Sequence, residues 1–149
     1  KQDIKCHLNG GQKMEYLKKN RCCNYYMELE LIWCSYENIS FEEEQKRELE
    51  RVFEDLQKRK EEYIIKKIAV YDDYVRLRIE VSPKYEVTNI LKSVKGLPAK
   101  HILKKYPEMR QKFGKGLWDT RTAVLTQNQF MEEQINDFLK NRRTQSKIR

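Results

Sequence analysis

The chain has 149 residues, of which 36% are charged and 39% hydrophobic, and this length suits one compact domain better than two. Five glycines and three prolines exclude collagen-like chains and most low-complexity chains, and the 11% aromatic content argues against general disorder. No apolar run approaches the ~20 residues of a membrane span, and no secretory signal peptide is evident. We therefore expect a soluble intracellular domain.

The basic residues are concentrated toward the C-terminus. Lysine and arginine outnumber aspartate and glutamate by 31 to 23, and residues 84–149 carry 15 of the basic and only 6 of the acidic side chains. Such a balance is typical of proteins that bind nucleic acid or an anionic membrane face, but lysines on a solvated helix give the same pattern. Charge alone leaves both interpretations open.

The cysteines and histidines do not form a metal-binding pattern, because no Cys-x-x-Cys pair and no second ligand cluster is present. The residues concerned are Cys6, Cys22, Cys23, Cys34, His7 and His101. We expect reduced thiols and histidines that pack or face solvent.

The chain divides into three parts by composition. Residues 1–23 are polar and show no sustained period, which indicates an N-terminal extension. Residues 24–143 have the apolar periodicity of a folded domain, and residues 144–149 form a basic tail.

The first two elements of the domain are a strand and a helix. Alternating apolar residues predict a half-buried strand over residues 25–34. Ser40 and Glu43 match a Ser-x-x-Glu capping box, and apolar residues then recur at helical spacing, which predicts an amphipathic helix over residues 41–61.

The later elements are a hairpin, two short helices, a strand and a final helix. The cleanest alternation in the chain follows a turn at residues 71–73 and predicts the second strand of an antiparallel hairpin. Gly96 and Pro98 predict a break between two helices, since proline suits a first helical turn. The expected ranges are 63–70 and 74–81 for the hairpin, 87–94 and 98–106 for the two helices, 117–126 for the strand and 130–142 for the last helix.

This order, β, α, β, β, α, α, β, α, predicts an α+β fold. We expect a ferredoxin-like sandwich, with a mainly antiparallel sheet of four to five strands, helices on one face and an additional C-terminal helix.

A run of short motifs across residues 24–143 resembles one known family. The strongest piece is Ile-Leu-Lys-Ser-Val-Lys-Gly-Leu-Pro-Ala-Lys at residues 90–100, which continues to a Tyr-Pro pair at residues 106–107. Supporting pieces are residues 26–34, the Ser-Pro-Lys-Tyr turn at 82–85 and the Leu-Trp pair at 117–118. In order and spacing they resemble the HUH single-tyrosine transposases of insertion sequences, of the IS200 and IS605 type, which catalyse DNA transposition and recombination.

In active members of that family, the central strand carries His-hydrophobic-His directly after an aspartate. Residues i and i+2 of a strand share one face, so the two imidazoles can hold one divalent ion, such as Mg²⁺ or Mn²⁺, which polarises the scissile phosphate. A tyrosine on the last helix attacks that phosphate to form a 5′-phosphotyrosine bond, and a glutamine four residues later completes the metal site.

This chain departs from the family at each of those positions. Tyr74 and Arg76 take the two histidine positions, Phe138 takes that of the nucleophile and Arg142 that of the glutamine. We therefore expect no metal cofactor and no cleavage, because phenylalanine has no attacking oxygen and two guanidinium groups repel a cation. Tyr74 as a relocated nucleophile is an alternative, and so is an ordinary solvent-facing Tyr74 and Arg76 pair.

The resemblance also implies partners. Family members are dimers joined through their sheet edges, and they recognise imperfect hairpins of single-stranded DNA. We expect a nuclease-dead, DNA-binding homodimer in the cytoplasm, associated with the nucleoid and not with a membrane. The residues expected to contact the DNA backbone are Lys92, Lys95, Lys100, Lys104, Lys105 and Arg121, assisted by Arg76 and Arg142.

Two other functions remain open at this point. One is an active transposase that cleaves DNA with substituted residues or with a complementing partner protomer. The other is an RNA-binding module, although those modules stack bases on several strand aromatics and residues 74–81 offer only Tyr74.

Overall fold

A computed structural model of the protein describes residues 17–59, 61–114 and 116–148, and the backbone of residues 7–8 and 12–13, which pair as a short ladder. The main sheet contains four antiparallel strands, numbered here in chain order, in the spatial order β2-β3-β1-β4. They are β1 (Met27–Ser35), β2 (Tyr63–Val70), β3 (Tyr74–Val81) and β4 (Trp118–Leu125). The α-helices are α1 (Glu43–Gln57), α2 (Val87–Lys105), α3 (Met109–Phe113) and α4 (Met131–Ile148).

The connections are two split β-α-β units. Helix α1 links β1 to β2 with β3 lying between them, and α2 and α3 link β3 to β4 with β1 between them. This strand order is that of a ferredoxin-like sandwich and confirms the predicted α+β class. The central strand β3 carries Tyr74 and Arg76, at which the resemblance places the two histidines of the family.

One face of the sheet carries the larger core. Leu31 and Trp33 of β1 and Leu77 of β3 are fully buried there against Phe53 of α1 and Val94 of α2. Removing this much apolar side-chain surface from water is the main stabilising contribution to the domain.

Helix α4 covers the opposite face, called here the α4 face. Ile32 and Cys34 of β1 are buried beneath Met131, Ile135 and Leu139. The expectation of a half-buried first strand is therefore wrong for its second half, where both faces are covered. The apolar stripe of α4 buries the second face of β1, and the alternation of residues within β1 does not indicate this burial.

Helix α2 runs unbroken through Pro98, so the expected break at Gly96 to Pro98 does not occur. The four buried residues of α2 are Ile90, Val94, Pro98 and Ile102. They are spaced four apart, and together they form one stripe against the core. Proline inside a helix costs about 3 kcal/mol through its missing N–H and a steric clash. Burial of its ring within this stripe offsets part of that cost.

The start of α1 lies two residues beyond the expected cap. Glu42 and not Ser40 is the N-cap, and its side chain accepts from the backbone of Gln45 while the Gln45 side chain accepts from Glu42 N at 2.9 Å. The capping box is thus Glu-x-x-Gln, with the same reciprocal geometry. The helix ends at Gln57, before the expected residue 61.

The secondary structure at the two ends of the described chain also differs from expectation. Helix α4 continues to Ile148, beyond the expected end at residue 142, so most of the basic tail is helical. Residues 1–16 of the predicted extension lie outside the described residues except for the short ladder. After them, Lys18–Lys19 pair with Asn24–Tyr25, and the Lys18 ammonium contacts the buried Glu80. Within the described residues, no helix has both the length and the apolar character needed to cross a membrane.

Candidate functional site

The central strand β3 places the two substituted histidine positions side by side. Tyr74 pairs with Cys34 and Arg76 with Ile32 in the β3–β1 register, and both project to the α4 face, while Val75 between them is buried in the main core. The i, i+2 geometry of the family's metal site is therefore retained, with different side chains in it.

Arg76 is held by two carboxylates. Its Nε donates to the Glu30 carboxylate, and its Nη1 and Nη2 donate to Glu132 Oε1 and Oε2 at 3.1 and 2.8 Å. Glu30 is only 3% exposed and also accepts from Arg78 Nε at 3.0 Å. Hydrogen bonding to Glu132, and then to Glu30, raises the pKa of the guanidinium. Arg76 thus stays charged and has no lone pair for a metal ion.

Tyr74 is packed against a second tyrosine. Its ring stacks on that of Tyr71 with 4.3 Å between centroids and an 11° interplanar angle, and the Arg143 guanidinium lies 5.8 Å from its centroid. Burial raises the pKa of the Tyr74 phenol above its ordinary value. The phenol therefore remains protonated at neutral pH, which disfavours it both as a nucleophile and as a ligand.

Arg142 forms an ion pair with the sheet. Its Nε and Nη2 donate to the two carboxylate oxygens of Asp119 at 2.5 and 3.0 Å, and these bonds raise the pKa of Arg142. Lys95 Nζ reaches the same place from α2 and donates to the Asp119 carbonyl at 3.0 Å and to Thr122 Oγ1 at 3.1 Å. Burial lowers the pKa of Lys95. The third ligand position of the family is thus occupied by a bidentate arginine–carboxylate pair.

Phe138 lies on α4 and packs partly buried against the cluster that contains Ile32 and Cys34. Its ring carries no atom that could attack phosphorus. The neighbouring Cys34 thiol does not replace it, because burial raises the pKa of that thiol to about 11. A thiol of this kind is largely protonated, and therefore weakly nucleophilic, at neutral pH.

Three arginine–carboxylate contacts join α4 to the rest of the domain. Besides the Arg76–Glu132 and Arg142–Asp119 pairs, Arg143 donates from Nε and Nη2 to Asp73 at 3.0 and 2.9 Å. The sequence predicted roles for Arg76 and Arg142 but did not indicate Arg143 or the three acidic partners. For the further carboxylate Glu30 a signal existed, because Glu30 and Arg78 lie opposite each other on two neighbouring strands.

The residues at the family's metal positions do not fit a divalent ion. Two of the three positions hold guanidinium groups bonded to carboxylates, and the third holds a protonated phenol. Across the part of the chain that the structure describes, no group of three or more histidine, cysteine, aspartate or glutamate side chains could hold a metal ion. The side chains at these three positions therefore lack the free carboxylate oxygens or imidazole nitrogens with which proteins bind divalent ions.

The predicted DNA-contacting residues fall into two groups. Lys92, Lys100 and Lys104 of α2 are exposed, as is Arg121 of β4, and none has a carboxylate within ion-pair distance among the described residues. At 100° per residue the three lysines lie on the side of α2 away from its buried stripe. These four cations are available to a polyanion.

Lys95 and Lys105, by contrast, have bonding partners within the protein. Lys95 bonds to β4 as described above, and Lys105 Nζ lies 3.0 Å from Glu48 Oε1. Arg76 and Arg142 are likewise paired with carboxylates and offer little free charge.

Glu48 is a buried carboxylate between α1 and α2. Besides Lys105, it is bonded to Arg51 and to His101, whose Nε2 lies 2.7 Å from Glu48 Oε2. The hydrogen bond from Arg51 is the main cause that lowers the Glu48 pKa. His101 therefore helps to join two helices, in agreement with its predicted packing role, while His7 has no described side chain.

Known proteins share the fold and much of the length of this chain. The ISDra2 transposase TnpA of Deinococcus radiodurans is 26% identical over 125 residues, which are 83% of this chain and 89% of that protein. The crystal structure of a Deinococcus radiodurans R1 protein assigned as a transposase superposes with a TM-score of 0.76 at 25% identity, covering 84% of this chain and 97% of that one.

The family model described as "Transposase IS200 like" matches residues 23–142, which include strand β3 and the part of helix α4 that carry the substituted positions. The resemblance drawn from the short motifs is confirmed. This chain belongs to the IS200-like transposase family.

Proposed function

We propose that this protein binds single-stranded DNA folded as a hairpin, acts as a homodimer in the cytoplasm on the nucleoid, and neither binds a catalytic metal ion nor cleaves DNA. The observation that supports the proposal is the set of ion pairs at the former catalytic positions. Arg76 and Arg142 are each held in bidentate contact with a carboxylate, and Phe138 packs where the family has its nucleophile.

The binding surface follows from the free cations. Lys92, Lys100 and Lys104 form an exposed basic face on α2, where each can neutralise one phosphate and release a counterion. Three such contacts to a single strand give a slope of about −2 in a plot of log K against log salt concentration. These contacts position the strand without reading its sequence.

An electrophoretic shift series tests the binding surface. We expect the hairpin to shift at lower protein concentration than linear single-stranded or duplex DNA of the same composition. The double variant Lys92→Glu, Lys100→Glu should lower hairpin affinity and flatten the salt slope. The double variant Lys140→Glu, Lys147→Glu is the matched control, because both lysines are exposed on α4, on the opposite side of the sheet. Equal loss in the control and in the α2 variant would remove α2 as the interface.

A separate assay tests the absence of cleavage. Labelled hairpin DNA is incubated with the protein and Mg²⁺ or Mn²⁺, and denaturing gels are inspected for a covalent protein–DNA adduct. We expect free, uncut DNA. An adduct would instead support an active transposase that uses substituted residues.

A further inference from the structure

A cavity of about 270 Å³ opens on the α4 face where β2, β3 and the first turn of α4 meet. It is lined by side chains of five charged residues and by Tyr71. The charged residues are Lys67, Arg76, Arg78, Glu30 and Glu132. This cavity is on the other face of the sheet from the α2 lysines, so it is a distinct surface.

The charges in the cavity do not balance. Glu30 accepts from the Nε atoms of both Arg76 and Arg78 and is buried. After these contacts, Arg78 retains its two Nη groups and Lys67 its ammonium, with no acceptor for them among the described residues. Three cations against two carboxylates leave one net positive charge. The seven unused N–H donors, four on the Nη atoms of Arg78 and three on Lys67, favour binding of an anion.

Glu132 already shows what kind of anion fits. It lies on the first turn of α4 with 69% of its side chain exposed, and its two oxygens face the two Nη atoms of Arg76 at 3.1 and 2.8 Å. The two non-bridging oxygens of a phosphodiester make the same fork contact to arginine. Because the carboxylate is solvent-exposed and tethered only through its own side chain, a phosphate can displace it into water.

An aromatic ring borders the same cavity. Tyr71 is 42% exposed and is supported from one side by the stacked ring of Tyr74. A supported, exposed ring beside a phosphate site suits a nucleic-acid base, because stacking on aromatics accompanies backbone contacts in single-strand binding. Duplex DNA keeps its bases stacked inside and cannot use such a ring.

We propose that this cavity is a second nucleotide subsite for single-stranded DNA. The phosphate binds Arg78 and Lys67 and takes the place of Glu132 on Arg76, while the adjoining base stacks on Tyr71. Glu132 is then an intramolecular competitor that weakens the subsite until a strand is present. The inference rests on the proposed function, to which it adds a separate contact surface.

Fluorescence anisotropy with a labelled short oligothymidylate, which has no secondary structure, tests the subsite at several KCl concentrations. We expect Arg78→Gln to weaken binding several-fold and to lower the salt slope by about one phosphate contact. Tyr71→Ala should weaken binding about tenfold through lost stacking. Glu132→Gln should tighten binding several-fold, and by more than Glu133→Gln, which removes an equal charge from the same helical turn outside the cavity.

The outcomes separate this inference from the proposed function. If the wild-type protein binds neither hairpin nor oligothymidylate, both are overturned. If the wild-type protein binds, two results overturn the subsite alone. One is that Arg78→Gln and Tyr71→Ala bind with the affinity of the wild type, and the other is that Glu132→Gln and Glu133→Gln bind with equal affinity. Thermal unfolding of each variant by circular dichroism checks that a loss of binding is not a loss of fold.

Discussion

Replacing Arg76 by glutamine tests the ion-pair network at the position where the resemblance places a metal ligand. The variant removes the positive charge that contacts both Glu30 and Glu132. Glu30 is buried and Glu132 is exposed. Removing one partner of a buried ion pair costs about 3–5 kcal/mol, because the other charge is left in a low-dielectric surrounding. Glu30, at 3% exposure, keeps Arg78 at 3.0 Å, so we expect about 2 kcal/mol of lost stability.

The Glu132 contact contributes far less. An ion pair with a largely exposed partner contributes about 0–1 kcal/mol, because water and salt screen it. Glu132→Gln should therefore change the free energy of unfolding by less than about 0.5 kcal/mol, although both Glu132 oxygens accept hydrogen bonds from Arg76.

Urea unfolding followed by tryptophan fluorescence, at one fixed protein concentration, measures both effects. Double-mutant cycles should give a coupling of about 1–2 kcal/mol between Arg76 and Glu30, and less than about 0.5 kcal/mol between Arg76 and Glu132. The reasoning is refuted if Arg76→Gln is as stable as the wild type, or if the two couplings are equal.

The remaining predictions concern local features of the fold. Cys34 is buried, so Cys34→Ala should leave the number of thiols that react with Ellman's reagent unchanged in the folded protein and lower it by one in denaturant. Burial raises the pKa of that thiol from its ordinary 9.0 to about 11. Between these two pH values the unfolded state therefore binds fewer protons than the folded state. Stability should therefore fall as pH rises from 9.0 through about 11, and urea titrations should show a shallower fall in Cys34→Ala. Glu42→Ala should lower the free energy of unfolding by about 1 kcal/mol because it removes the α1 cap, and Ser40→Ala should hardly change it. If calorimetry showed the reverse, Ser40 would be the cap.

The order of elements could be predicted from sequence because local periodicity determines it. The alternation along residues 74–81 reports one buried face, and β3 has that face in the structure. The predicted break at Pro98 is wrong, because the preference of proline for a first helical turn carries no information about the buried stripe of α2 that contains its ring. The position of the α1 cap was wrong by two residues, since both Ser40 and Glu42 begin a pattern of the right spacing.

The residues at the positions that the resemblance assigns to catalysis could be read from the sequence, but their interactions could not. Arg76 meets Glu30 and Glu132 across separations of 46 and 56 residues, which no local pattern reports. In the same way, Lys95 and Lys105 look like Lys92 in sequence. Only packing shows that the first two are bonded to β4 and α1.

The most direct test of the altered reactive centre is a manganese titration followed by the electron paramagnetic resonance signal of free Mn²⁺. We expect the protein to leave that signal unchanged, because the positions of Tyr74, Arg76 and Arg142 offer no ligand set. The contrary result would be stoichiometric uptake of Mn²⁺ by the wild type that Tyr74→Ala abolishes. Such an ion would show that a metal centre survives on β3.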